Sequence, residues 1–430
     1  MVKEKSDVLI KNVGQLLTIA DQFGPITNPK RNSLGIIENA YISIKDGKIN
    51  YIGKGSCRLN AKKTIDAKGC IALPGFVDAH THLIFAGSRE KEFSLRVRGK
   101  NYLTIMEEGG GIKSTVRSTR MASKEELLNL SLNRLDTALS WGTTTCEIKS
   151  GYGLSTKEEI KLLEVLALLQ KRHKVDIVPT FLGAHDFPEE FHNNRKGYIE
   201  LLINEMLPEV KKKNLARFCD VFCERGIFSK KETRRILKEG LKYGLLAKIH
   251  TDEFYNIGGS ELAEEVNAVS CDHLLYTNEN GLKSIKKAGT IAVLLPGANL
   301  FLRKKKIPDI RTMRKFKVPF AIATDFNPGS SPVIAMPVVI GLSCLLYGLT
   351  PEEAIVGATI NAAYAVKEAD SVGSLRKGKQ ADIIIMNVKN YEEIPYWFAQ
   401  NRILYVLKKG RLVVNLFPEP KTLDRGKIDK

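Results

Sequence analysis

The middle of the chain alternates between short apolar runs and longer charged segments in which apolar residues recur every three to four positions. The apolar runs predict strands over residues 75–82, 143–149, 176–185, 218–224, 247–253, 268–275, 290–296 and 320–325. The charged segments predict helices over residues 124–140, 157–172, 230–243 and 260–267. Strands that alternate with helices indicate a parallel α/β sheet, and eight such units are typical of a (β/α)8 TIM-like barrel. A doubly wound open sheet is the alternative, but no G-x-G-x-x-G follows the first strand.

The two ends of the chain share a different residue pattern, with short runs of alternating or β-branched residues separated by turns. These runs predict strands over residues 7–13, 15–19, 40–44, 48–53, 63–71, 381–387 and 403–415. Two β-rich ends around an α/β middle indicate one composite domain. We therefore predict a small β-sandwich built from residues 1–72 and 371–430, and a barrel over residues 73–370.

Composition and charge narrow the classes of function. Of the 430 residues, 43% are hydrophobic and 27% are charged, as in ordinary globular proteins. The net charge of +18 raises the question of a nucleic-acid partner. However, the densest basic runs, residues 211–213 and 303–306, are short and lack interleaved aromatic residues. We therefore predict a solvated basic surface that attracts small anions, and no nucleic-acid partner.

Several features of the sequence favour a cytoplasmic location. The seven cysteines are dispersed and odd in number, which is typical of reduced thiols rather than of a disulfide framework. The first residues lack the apolar core of a signal peptide. Residues 326–351 carry no charge, but they include Pro328, Pro332 and Pro337, so a buried barrel helix is favoured over a membrane span.

Candidate chemistry centres on the histidines, of which there are seven. His80 and His82 form an H-x-H pair at the end of the first barrel strand, where alternate side chains point to the same face. A shared cation removes the repulsion between two protonated imidazoles, and imidazole suits zinc or iron. The alternative is a pair of hydrogen-bonded strand histidines without a metal.

Three further polar residues end other predicted barrel strands. His250 lies in the fifth strand, His273 in the sixth and Asp325 at the end of the eighth. The carboxyl ends of all barrel strands meet at one face, where the active sites of barrel enzymes lie. We therefore expect these residues to converge with the H-x-H pair, although any one of them alone is equally compatible with a structural role.

Long motifs around these residues resemble a known superfamily. They are PGFVDAHTHL at residues 74–83, with its continuation IFAGSRE to residue 90, IMEEGGGI at 105–112, EIKSGYGL at 147–154, GAH at 183–185, DFNPGS at 325–330 and ADIIIMN at 381–387. With them the chain resembles the amidohydrolase superfamily over nearly its whole length and, more specifically, the imidazolonepropionase family. The resemblance implies metal-dependent hydrolysis of the cyclic amide of imidazolone propanoate to N-formimidoyl-L-glutamate, in histidine breakdown.

The resemblance also implies roles for individual residues. His80, His82, His250 and Asp325 would hold one divalent or trivalent ion per chain, zinc or iron, which activates a water molecule. Glu253, His273 and Asp325 would manage the proton and the developing oxyanion. Substrate contacts would come from Arg89, whose guanidinium group suits the propanoate carboxylate, and from Tyr152, His185, Glu253, Asn327, Gly329 and Ser330.

Other interpretations stay open at this point. A guanine-type deaminase of the same fold would use the same metal ligands, and a non-catalytic scaffold would keep the barrel without the chemistry. Glu224, at the end of the fourth strand, is compatible with a bridge to a second metal. Without the motif, Arg89 and Glu253 would be ordinary surface charges. A homodimer is compatible with this architecture.

Overall fold

The computed structural model describes residues 6–19, 23–57, 59–100, 104–105 and 110–417. Its strands are β1 Ser6–Leu17, β2 Ile36–Lys45, β3 Lys48–Lys54, β4 Ala61–Asp66, β5 Ile71–Pro74, β6 Phe76–Asp78, β7 Thr143–Lys149, β8 Asp176–Ala184, β9 Phe218–Cys223, β10 Leu246–Thr251, β11 Ser270–His273, β12 Ile291–Leu294, β13 Phe320–Ile322, β14 Ile383–Met386, β15 Ile403–Lys408 and β16 Arg411–Asn415.

Strands β6 to β13 form the predicted barrel. Each pairs in parallel with the next strand along the chain. The ring closes just beyond the ends of β6 and β13, where Thr81 pairs with Phe326. There the His82 N–H donates to the Phe326 carbonyl oxygen and the Asp325 N–H donates to that of His80, both at 3.0 Å. The barrel is therefore closed by the two segments that carry predicted metal ligands.

Helices cover the outside of the barrel. The α-helices are Glu90–Val97, Ile112–Met121, Lys124–Ser140, Thr156–Arg172, Arg195–Leu201, Leu207–Lys212, Lys230–Lys242, Glu279–Ala288, Pro296–Phe301, Ile310–Phe316, Met336–Tyr347, Pro351–Gly357, Ile360–Ala365 and Glu393–Tyr396. Shorter helical turns span Arg31–Leu34, Glu189–Phe191, Leu202–Met206 and Ser260–Leu262. Serine side chains cap the three long predicted helices: Ser123, Ser155 and Ser229 each accept a backbone N–H of the first turn.

One helix prediction is wrong. Residues 260–267 form only the short turn Ser260–Leu262 and not a full helix. The Ser260 hydroxyl donates to the buried Asp252 carboxylate at 2.6 Å, and Asn267 adopts a φ of 45°, which ends any helix. The chain therefore turns back into β11 after a single turn.

The two chain ends build a second sheet, as predicted. Its order is β16-β15-β14-β5-β1-β2-β3, with β4 beside β1, and β14 pairs antiparallel with β5 to join the C-terminal part to the N-terminal part. The predicted strands 7–13 and 15–19 are one strand, irregular at Asn12, which has a φ of 55°. The predicted strand 63–71 is two, split by a turn at Lys68 and Gly69. The predicted domain boundaries stay a prediction.

The uncharged segment contains the helix Met336–Tyr347, most of which is buried, as predicted. Within the described ranges, no helix is both long and apolar enough to cross a bilayer. All seven cysteines are free thiols, and Cys219 and Cys223 are buried in the barrel wall.

Candidate active site

The four predicted metal ligands converge at the carboxyl end of the barrel. The Nε2 atom of His82 lies 3.3 Å from the Nε2 atoms of both His80 and His250. Asp325 Oδ1 lies 3.5 Å from His80 Nε2 and 3.6 Å from His82 Nε2. Ligands at ~2.0–2.1 Å from a tetrahedral metal are separated by about 3.3–3.4 Å, close to these values. The cluster therefore has the chemistry and spacing to hold one metal ion.

Two buried carboxylates orient the imidazole rings. Asp272 Oδ2 lies 2.6 Å from Nδ1 of His80, and Asp220 Oδ2 lies 2.9 Å from Nδ1 of His250. For His80, a proton on Nδ1 donated to Asp272 leaves the Nε2 lone pair free for a metal. Burial, reinforced by neighbouring positive groups, holds the pKa values of His80 and His82 well below the usual range. The His80 and His82 rings are therefore neutral, which is the form that binds metals.

Beneath the histidines lies a group that we call the charged floor: Glu147, Lys149, Asp220, Lys248 and Asp272, all with fully buried side chains. Glu147 and Lys149 lie in the motif at residues 147–154, but no role was predicted for any of the five residues. The available signal was the presence of lysine, glutamate and aspartate inside strands of a parallel barrel. Both faces of such strands are covered, so a charge there must have a buried partner.

Glu253 and His273 lie side by side at the same end of the barrel. Their Oε2 and Nδ1 atoms are 3.7 Å apart, and both side chains are at least nine-tenths buried. Burial raises the pKa of Glu253 to about 8, with Lys304 opposing the shift and Glu224 adding to it. Glu253 is therefore mostly protonated at neutral pH and can act as a proton donor.

Glu224 holds the loop that carries Glu253. One of its carboxylate oxygens, Oε2, accepts the backbone N–H groups of Glu253 at 3.1 Å and Phe254 at 2.9 Å, and the other accepts that of Arg225 at 2.8 Å. Both oxygens are thus engaged by the backbone. This arrangement gives Glu224 a structural task and does not favour a bridge to a second metal.

Most of the predicted substrate contacts line a single cavity of about 570 Å³ above the histidines. This volume is within the range of small-molecule sites. The lining includes Arg89, Tyr152, His185, Glu253, Asn327 and Ser330. Gly329 does not line the cavity. A Cβ atom there would lie 2.0 Å from Nη1 of Arg89, so the glycine leaves room for the guanidinium group. Of the predicted motif at residues 105–112, residues 106–109 lie outside the described residues.

The side chains of the cavity are fixed by their neighbours. Nε and Nη2 of Arg89 donate to Glu92 Oε2 at 2.9 and 2.7 Å, which orients the guanidinium group beside Gly329. Asn327 Oδ1 accepts the N–H groups of Gly329 at 2.8 Å and Ser330 at 2.7 Å, so it organises the loop after β13. These contacts place a cation and a set of polar groups at the wall of the cavity.

Two aromatic side chains form the wall beside His82. The His185 ring stacks on His82 with centroids 4.9 Å apart, and the Tyr152 ring lies 5.3 Å from His185. Nδ1 of His185 is 3.0 Å from the carbonyl oxygen of Gly151, which fixes the proton on that nitrogen. Burial lowers the pKa of His185 to about 3, so the ring is neutral. Gly151 has a φ of 102°, and a Cβ there would lie 2.9 Å from the Leu182 carbonyl oxygen.

The backbone is strained at several of these strand ends. Asp252, His273, Leu274 and Asp325 have φ values of 56°, 79°, 63° and 51°. Such conformations cost non-glycine residues about 1–3 kcal/mol each and cluster at functional sites. No pattern in the sequence marks these positions, because the strain is imposed by the closed barrel.

Comparison with known proteins agrees with this geometry. Residues 71–413 match the amidohydrolase family. An imidazolonepropionase of Geobacillus kaustophilus (strain HTA426) is 47% identical over 95% of this chain and 98% of its own length. One of Alkaliphilus metalliredigens (strain QYMF) is 44% identical over the same shares. The chain belongs to the imidazolonepropionase group of the amidohydrolase family. Membership of this family makes the chain a hydrolase that acts on carbon–nitrogen bonds.

Solved amidohydrolase-fold structures share the architecture at low sequence identity. The E. coli guanine deaminase superimposes with a TM-score of 0.71 at 16% identity, covering 95% of this chain and 99% of that one. A zinc-bound adenosine deaminase of Xanthomonas campestris gives a TM-score of 0.70 at 16% identity, covering 96% and 94%. At this identity the likeness concerns the fold alone, and it confirms the predicted (β/α)8 barrel.

Proposed function

We propose that this chain hydrolyses the cyclic amide of imidazolone propanoate to N-formimidoyl-L-glutamate. The observation that carries the proposal is the 47% identity to an imidazolonepropionase over 95% of the chain, together with a cavity lined by all the predicted site residues except His80 and Gly329. The predicted substrate is a small ring with a carboxylate tail. Arg89, at the wall of the cavity, supplies a guanidinium group suited to that tail.

His80, His82, His250 and Asp325 would hold one zinc or iron ion. When bound, such an ion supplies Lewis acidity, which polarises a carbonyl group and lowers the pKa of water. His273 has a buried Nδ1 atom with no hydrogen-bond partner among the described residues, and its ring lines the cavity. It is therefore placed to bind the ring carbonyl oxygen, where negative charge develops as water adds to the carbon.

The proton is handled by Glu253. Its carboxyl group is protonated at neutral pH, and it lies 3.7 Å from His273, next to the proposed carbonyl position. As the bond between the carbonyl carbon and the ring nitrogen breaks, Glu253 gives its proton to that nitrogen. The water oxygen becomes part of the new carboxylate, one of its two protons restores Glu253, and the other is released to solvent. Stacked His82 and His185, with Tyr152, enclose the ring and exclude bulk solvent.

The test is direct turnover by purified protein of measured metal content. We expect the ultraviolet absorbance of imidazolone propanoate to disappear, to persist after chelation, and to disappear again after zinc or iron is restored. The product should be N-formimidoyl-L-glutamate. Release of ammonia from guanine, without turnover of the imidazolone, would contradict the proposal and favour the deaminase alternative.

A further inference from the structure

Lys149 is the centre of the charged floor. Its Nζ atom lies 2.8 Å from Asp220 Oδ2, 3.0 Å from Glu147 Oε1 and 3.5 Å from Asp272 Oδ2. None of these side chains is exposed. Burial alone would lower the pKa of Lys149, but the carboxylates of Asp220, Glu147 and Asp272 outweigh it and raise the pKa above its usual value. The side chain is therefore a permanent cation.

The two aspartates that contact Lys149 are those that contact the imidazole rings. Asp272 touches Lys149 and Nδ1 of His80 with the same oxygen, Oδ2. Asp220 likewise uses Oδ2 for both Lys149 and Nδ1 of His250. One ammonium group thus lies between two carboxylates, each of which points at a histidine on a different strand. Removing it would free both carboxylates at once.

The backbone of Lys149 provides a second, independent link to the H-x-H pair. Its N–H donates to the carbonyl oxygen of Thr81, the residue between His80 and His82, at 2.9 Å. The side chain of Lys149 therefore contacts the two aspartates beside His80 and His250, and its main chain holds the residue between His80 and His82.

The position of the ammonium group also bears on the number of metals. Asp220, His250 and Asp272 offer three ligand atoms within 4.8 Å of one another, a set that resembles a second metal site. Lys149 already contacts both carboxylates of this set. The chain thus places a fixed cation of its own where a second metal would otherwise be attracted.

We propose that Lys149 is a positioning residue of the metal centre: its ammonium group holds Asp220 and Asp272 in the orientations that direct His250 and His80 towards a shared metal ion. This inference rests on the proposed metal-dependent function. It assigns Lys149 no contact with substrate. It predicts that metal affinity depends on a side chain that does not itself bind the metal.

The test compares the zinc affinity of Lys149→Met and Lys248→Met by competition with a chromophoric chelator. Lys248 is an equally buried ammonium group that contacts Glu147 at 2.6 Å and the Ala79 carbonyl oxygen at 3.2 Å, but neither aspartate. We expect Lys149→Met to weaken zinc binding about 10- to 100-fold, as for other residues that orient metal ligands. Lys248→Met should weaken zinc binding less than Lys149→Met, because Lys248 contacts neither of the aspartates beside the imidazole rings.

Wild-type affinity in Lys149→Met, or equal losses in both variants, would overturn the proposal. If Lys149→Met does not fold, because its carboxylates are left without a cation, Glu147→Gln is added to restore the charge balance, since the Glu147 side chain contacts Lys149 but neither aspartate. The folded double variant should still bind zinc more weakly than Lys248→Met, and wild-type affinity there would again overturn the proposal. Zinc affinity is measured without substrate, so failure of the proposed reaction in the wild type is a separate result.

Discussion

The two ends of the barrel both bury lysine–aspartate contacts, yet they use them differently. At the carboxyl end, the charged floor is fully enclosed and its aspartates point at imidazole rings. At the amino end, Lys408 lies between Asp176, at the start of β8, and Asp382, before β14, at 2.7 and 2.5 Å. We call this second group (Asp176, Asp382 and Lys408) the domain clamp, because it joins the barrel to the β-domain.

The contacts of the domain clamp and of the charged floor indicate different roles. In the domain clamp, the carboxylates meet only ammonium and amide groups, and the Asp176 side chain is 34% exposed. Its interactions are therefore satisfied within the cluster, and their effect is to attach one domain to the other. In the charged floor, part of each aspartate's interaction is directed at a histidine, and strained residues such as His273 and Asp325 lie just above it. Changes at the carboxyl end should therefore affect chemistry, and changes at the amino end should affect stability.

The largest effect should come from Glu253→Gln at the carboxyl end. The amide keeps the size of the side chain but cannot donate the proton that the leaving nitrogen needs, so kcat should fall by about 10²- to 10⁴-fold. Zinc content and the free energy of unfolding should stay near the wild-type values. Steady-state kinetics with imidazolone propanoate, beside metal analysis and urea unfolding, measure all three.

The matched control is Glu261→Gln, which removes a carboxylate of a half-buried pair with Lys230 on the outside of the barrel. Its kcat should be unchanged. If Glu253→Gln retained wild-type turnover, the role of Glu253 in proton transfer would be wrong. The assignment of chemistry to the carboxyl end of the barrel would then lack its main support.

The next largest effect should come from Lys408→Met at the amino end. It leaves the buried Asp382 without a cation and Asp176 with Lys409 alone. Breaking a buried ion pair costs about 3 kcal/mol, less here because Asp176 is partly exposed. The measurement is the free energy of unfolding in urea, with kcat and zinc affinity of the folded protein expected to stay at wild-type values. Lys409→Met is the control. Its side chain is 53% exposed and contacts Asp176 alone, so its loss should cost less than about 1 kcal/mol.

Much of the fold was predictable from the chain, because periodicity and strand-end chemistry are local signals. Strand β7 and the helix Lys124–Ser140 have the predicted bounds, and all eight predicted barrel strands occur. The convergence of the four predicted ligands follows from the topology of a parallel barrel, which brings all carboxyl strand ends together. The family motifs added the substrate contacts, which periodicity alone does not indicate.

The features that the sequence did not indicate depend on contacts between residues that are distant in the chain or on backbone conformations set by the tertiary structure. Lys149 and Asp220 lie 71 positions apart, and only the barrel places their side chains in contact. The left-handed φ values of His273 and Asp325 are not specified by residue type, since Asp and His adopt such values more often than other non-glycine residues but still uncommonly. Similarly, residues 260–267 have an acceptable helical pattern but form turns that end at Asn267, whose φ of 45° is left-handed.

The smallest and most selective effect is the pH dependence of the domain clamp. Burial raises the pKa of Asp176, but Lys408, Lys409 and Gln380 outweigh it, so the pKa in the folded protein lies below the ordinary value of 3.8. A carboxyl group with a lowered pKa stabilises the fold above its unfolded pKa, and this contribution disappears as the pH falls through the folded pKa. The difference in free energy of unfolding between wild type and Asp176→Asn should therefore be constant above about pH 5 and shrink below it. Urea unfolding across this range measures the difference. A difference that grows towards acid pH would mean that Asp176 is stabilised in its protonated form, and the domain clamp would then not be an ionic contact.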